Sequence, residues 1–148
     1  MTFTDFKPSN LRMTLAGFTA AAGGIVSIAM TGWGGSMSQH LPVGEGFFAA
    51  AILGAGLAGF ICANGIGRGG RRGWLIAALV SCVATILGAM LGATMMSLYF
   101  GSFYGATLGL IAILDASTSI AALITWVITM AALHLSARKF RARTVVSP

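Results

Sequence analysis

Four uncharged apolar stretches, at about residues 13–33, 46–66, 74–98 and 116–136, constrain what this chain can fold into. A helix needs roughly 20 predominantly apolar residues to cross a hydrocarbon core about 30 Å thick. Each stretch meets that length. The expectation is an all-α integral membrane protein, a bundle of four transmembrane helices in a single domain spanning 1–148. Composition points the same way: 57% of the residues are hydrophobic and only 8% are charged. A soluble domain carries about 25% charged residues, so this chain cannot cover a water-facing surface. A mean hydropathy of +0.89 excludes a disordered chain as well.

The basic residues set an expected orientation. All nine Lys and Arg fall into three groups: Lys7 and Arg12; Arg68, Arg71 and Arg72; and Arg138, Lys139, Arg141 and Arg143. With four spans, the two termini and the connection between spans two and three share one side, and the three groups occupy those segments. Lys and Arg are retained on the cytoplasmic side during insertion. Both termini are therefore expected to be cytoplasmic, with tails at 1–11 and 137–148, and the small size and simple charge pattern favour a bacterial inner membrane. The connections at 34–45 and 100–115 carry no Lys or Arg. From Arg12 to Trp33, Glu45 to Arg68 and Asp115 to Arg138, a helix would rise about 31–35 Å, one core thickness. Trp33, Tyr99, Phe100, Phe103 and Tyr104 would form an outer aromatic belt and Trp74 an inner one. The first apolar run is too long for a signal-peptide core and continues past the small-residue site at Ser27-Ile28-Ala29, so it counts as a span.

Residues 101–114 are too apolar for a plain loop and too short to span. Gly101, Gly105 and Gly109 fall four apart. A short interfacial or re-entrant segment is the favoured reading, because Asp115 followed by Ser117, Thr118 and Ser119 resembles a helix start. The alternative is an over-long, kinked fourth helix beginning near Tyr104. Asp115 is accordingly read first as a cap. An intramembrane carboxylate is also a functional candidate, which makes Asp115, Ser117, Thr118 and Ser119 an alternative ion or proton site.

Small residues recur at i, i+4 in spans two and three: Gly54 with Ala58, Ala55 with Gly59, and Ala84 with Gly88 and Gly92. Such faces pack closely in lipid. They are expected to hold the bundle together, with a homo-oligomer interface as the sharper alternative. Cys62 and Cys82 sit in apolar runs without metal or redox spacing and read as small hydrophobes. His40 in the 34–45 connection and His134 at the inner end of span four read as solvated or capping residues. Asn64, before Gly65, reads as a helix terminator.

The glycine-rich GIGRGGRRG loop at 65–73 lacks the phosphate-binding pattern and its strand-before-helix context. Its arginines, together with Arg138, Lys139, Arg141 and Arg143, are expected to meet anionic lipid headgroups. No aromatic interleaving suggests nucleic acid. No nucleophile–base set or paired carboxylates suggest catalysis, and neither a metal nor another cofactor is expected. Short loops and few polar residues favour a non-catalytic accessory or assembly subunit of a membrane complex, with other subunits or further copies as partners. The alternative is a small oligomeric channel or transporter for an ion or small solute.

Overall fold

The chain is all-α, and a computed structural model describes residues 8–33, 45–97 and 101–145. Five helices appear among them: α1 (Pro8–Trp33), α2 (Glu45–Cys62), α3 (Gly70–Met96), α4 (Gly101–Thr118) and α5 (Ile120–Val145). Four of these, all but α4, are long and apolar enough to cross a membrane. The protein is therefore a helical membrane bundle with four spanning helices. Lys7, residues 34–44 with His40, Tyr99 and Phe100 lie outside the described residues, as do the side chains of Trp33, Glu45 and Arg143.

Helices adjacent in sequence pack side by side, α1 on α2, α2 on α3 and α3 on α4, and α5 returns to α1. The outcome is a ring. Its walls approach closely where glycine removes the side chain. A methyl group added to Gly54 would land on the Gly88 carbonyl oxygen, and one added to Gly92 would lie 2.6 Å from the Ala50 carbonyl oxygen. Gly105 and Gly109 set α4 on α3 in the same way, 2.6 Å from the Met90 Cα and 2.7 Å from the Ile86 Cα by the same measure. The inside of the ring is thus built from small residues, while Leu75, Leu79, Ile25 and Ile28 point outward. Lipid tails are as apolar as leucine, so nothing drives the large side chains inward.

The 101–114 segment turns out longer than the sequence suggests. It is helical through Thr118 and only Ser119 separates it from α5. Ser119 N–H donates to the Asp115 carbonyl (3.2 Å), and Leu123 N–H donates to the Ser119 carbonyl (2.9 Å), so hydrogen bonding passes through the junction. Gly101 lies against Ala93 and Thr94, whereas His134 lies against Trp74. Residues 101–134 are about 50 Å of helix, and Trp74 to Thr94 is about 30 Å. The two helices cannot both run straight alongside α3. The path must turn, and Ser119 is where the helix is interrupted. Ser117 and Thr118 hydroxyls bond back to the Leu114 and Asp115 carbonyls, a pattern that bends helices.

At the opposite end, α2 tightens into a 3-10 turn over Ala63–Gly65, which includes Asn64. The chain then passes through Gly67 at φ +82° and Gly70 at φ +77°. Other residues lose about 1–2 kcal/mol in that conformation. At Gly67 a Cβ would also meet Ala137, 2.7 Å from its Cβ. Small clusters close the ring at both ends: Leu15, Ala63, Ile66 and Ala137 at the basic end, and Met30, Ala116 and Ala122 at the far end.

Growth of the small wall residues should break the ring. Gly88→Leu and Gly105→Leu are each expected to destabilise the bundle by about 1–3 kcal/mol or more, as overpacking does, while Leu79→Ala on the outer face should cost less. Thermal unfolding in detergent measures all three. Equal melting temperatures would contradict this packing.

Candidate functional site

The ring encloses a cavity of about 460 Å³ lined by residues from all five helices. Ligand pockets run roughly 300–1,000 Å³. On α3 the lining extends from Ala77 to Ser97, about 30 Å of helix rise, which matches the hydrocarbon thickness. Nearly half of the wall is Gly and Ala, including Gly23, Ala55, Ala84, Gly88, Gly92 and Gly109, and Phe47, Tyr104 and Trp126 are its aromatic residues. Among the described residues no charged side chain lines it.

Four hydroxyls of the wall are already occupied. Thr19 Oγ1 donates to the Leu15 carbonyl (2.9 Å), Ser27 Oγ to Gly23 (2.7 Å), Thr85 Oγ1 to Ser81 (2.9 Å) and Thr129 Oγ1 to Thr125 (2.6 Å). Each of these four spends its proton on its own helix. The surface they leave suits an apolar or weakly polar guest, with hydroxyl lone pairs as the acceptors still on offer.

The Asp115 group is arranged differently from its sequence reading. Asp115 does not start span four. It occupies the last turn of α4, buried and not without a partner. Ser119 takes the cap position instead, its Oγ accepting from Ala122 N–H at 3.4 Å. Ser117 and Thr118 are exposed. Asp115 does not line the cavity; Ser117 borders only a smaller apolar pocket of about 180 Å³ with Trp126 and Ile113. The four residues thus lie along the last turn of α4 and its junction with α5.

The basic residues divide into two kinds. Arg68, Arg71, Arg72, Arg138 and Lys139 are exposed, as headgroup contact requires. Arg141 departs from that expectation. Because α5 continues to Val145 instead of ending near 136, Arg141 is carried on a helix face and turns inward. Its Nε donates to the Ile66 carbonyl (3.0 Å), and its Nη2 donates to Ala63 (3.0 Å) and Asn64 (3.4 Å). The carbonyls of Ala63, Asn64 and Ile66 lie beyond the end of α2, and Ala63 also accepts from the Ile66 N–H at 3.4 Å. Arg141 supplies them with donors from another helix.

His134 also departs from its solvated or capping reading. Eleven residues of α5 follow it, so it is no helix terminus, and it is fully buried. Its Nδ1 accepts from the Gly67 N–H at 3.3 Å, which places the ring proton on Nε2. Nε2 is buried and has no hydrogen-bond partner, at a cost of about 1–3 kcal/mol. Trp74 packs against the ring with centroids 4.5 Å apart, so it is not a free belt residue. Phe103 and Tyr104 at the far end are exposed.

Of the packing residues, Gly54, Ala58, Gly88 and Gly92 are all buried. The stripe at Gly101, Gly105 and Gly109 was visible in the sequence, but its partner on α3 was not. Comparison with known protein families, characterised proteins and solved structures finds no match to this chain.

Arg141→Met should weaken the basic end. Hydrogen bonds from charged donors contribute about 1.5–3 kcal/mol, so this variant should melt earlier than Arg138→Met, whose side chain is exposed. Matching melting curves for the two would refute the inward role of Arg141.

Proposed function

We propose that this chain is a small, non-catalytic membrane protein that admits an uncharged, mainly apolar solute into the bilayer interior, a narrowed form of the channel or transporter reading. The cavity carries the proposal. Its volume suits a small ligand, its length on α3 is close to one core thickness, and its wall is smooth and apolar. An ion would lose its hydration shell there without carbonyls or carboxylates to replace it. That chemistry favours a neutral solute over the ion of the original alternative.

The small-xxx-small faces are proposed to serve the bundle rather than self-association, since Gly54, Gly88, Gly92, Gly101 and Gly105 already meet neighbouring helices of the same chain. The exposed arginines are proposed to sit at anionic headgroups on the cytoplasmic face of a bacterial inner membrane, with both termini on that side, as the positive-inside rule favours. The accessory-subunit reading is the alternative.

Native mass spectrometry from mild detergent tests the main reading. A small neutral molecule should travel with the wild-type protein and be lost from Ala84→Leu, which fills the cavity. A stoichiometric complex with another membrane protein, and no such molecule, would favour the accessory subunit instead. Orientation has its own measurement: single cysteines replacing Gly70 and Ser147 should resist an impermeant thiol reagent in intact cells, while one replacing Ser38 should react. Labelling at Gly70 would overturn the orientation.

A further inference from the structure

The junction between α5 and the 65–69 loop contains a titratable group whose hydrogen bond tolerates only one protonation state. We propose that His134 is a proton-sensitive latch: as neutral imidazole it holds Gly67 and closes the basic end of the ring, and a proton taken up on Nδ1 releases that loop. The inference concerns regulation and does not depend on what the cavity carries.

The geometry leaves little freedom. Nδ1 accepts the Gly67 N–H, and Nε2 carries the ring proton. A proton arriving from water can bind only at Nδ1, because that atom holds the one available lone pair. The imidazolium then points an N–H at the Gly67 N–H. Two donors cannot share a hydrogen bond, so the contact becomes repulsive. The Gly67 site suits only glycine, since its φ is +82° and an added Cβ would run into Ala137.

Among the described residues no acidic side chain belongs to this end. Among those residues the charged side chains at this end are Arg12 of α1, Arg68 of the loop, Arg71 and Arg72 opening α3, and Arg138, Lys139 and Arg141 of α5. Cys62 at the end of α2 is the other titratable group, and it is neutral as a thiol. Among the described residues the acids are Glu45 and Asp115, which belong to the far end of α2 and to α4. A ring protonated on Nδ1 cannot accept the Gly67 N–H, so acidification shifts the balance towards the open loop.

Opening here reaches the cavity. Ile66 precedes Gly67, and Leu133 precedes His134, and both line the cavity floor together with Ala77. Arg141 grips the same loop through the Ile66, Ala63 and Asn64 carbonyls. It stays charged throughout, so the loop keeps one anchor while losing the other. Release is thus local, a swing of the loop on its Arg141 tether rather than unfolding of the bundle.

Hydrogen–deuterium exchange of the full chain in lipid nanodiscs tests the latch, with rates corrected for the intrinsic effect of pH. Going from pH 7.5 to 5.5, the 63–70 segment should exchange at least several-fold faster, while the α2–α3 contact around Gly54 and Gly88 stays unchanged. His134→Asn offers an acceptor oxygen near the Nδ1 position without a titratable group, and should abolish the pH response while keeping the slow exchange. A second measurement needs no variant at position 134. With His40→Gln leaving one histidine, the imidazole nitrogen shifts report protonation directly, and their midpoint should coincide with the rise in exchange. Unchanged exchange in the wild type, an equal response in His134→Asn, or midpoints more than one pH unit apart would each overturn the proposal.

Discussion

The obligation to satisfy every backbone polar group away from water governs this structure. Inside a helix the chain meets it alone. At a helix end it cannot, and the basic end of the bundle shows the remedy. The carbonyls of the 3-10 turn and of Ile66 receive the Arg141 guanidinium, and the Gly67 amide finds an imidazole nitrogen. Both donors and acceptors come from α5, some 70 residues further along the chain. The loop and the last helix therefore complete one another. The same obligation explains four hydroxyls of the cavity wall, which give their protons to carbonyls one turn back and present little polarity to the interior.

How much of this was legible in the sequence depended on whether run length or contact decides the feature. The four spans were legible because length and absence of charge suffice to mark them. The glycine turn after α2 was legible as well, from Asn64, Gly65 and Gly67. The boundary near Asp115 was not. Asp115, Ser117, Thr118 and Ser119 all have cap chemistry, and only backbone geometry selects Ser119 over the others. Burial of His134 was hidden by its context: Ser136, Arg138, Lys139 and Arg141 resemble the start of a soluble tail, whereas α5 carries them on as helix and turns one face inward. Arg141 was hidden among its neighbours for the same reason.

The cavity was illegible on different grounds. Gly and Ala at four-residue spacing signal close approach, and at Gly54, Gly88 and Gly105 the helices do approach closely. Yet Ala84, Ala89 and Ala112 belong to the same runs and line open volume. Whether a small residue brings two helices together or leaves room between them depends on the crossing of those helices and on where α5 lies. Composition carries neither.

The arrangement of small residues inside and large ones outside has a consequence for how such a chain can change over time. In a water-soluble domain the interior resists change because it must exclude polarity, and the surface drifts freely. Here both faces are apolar, so polarity hardly distinguishes them and size does. Outer positions such as Leu75, Leu79, Ile25 and Ile28 can exchange one hydrocarbon for another with little effect. Inner positions such as Gly54 and Gly105 have backbone within reach of any added carbon. Drift in this protein should therefore be fastest among its bulkiest residues and slowest among its smallest, leaving a lineage in which the glycines outlast the leucines.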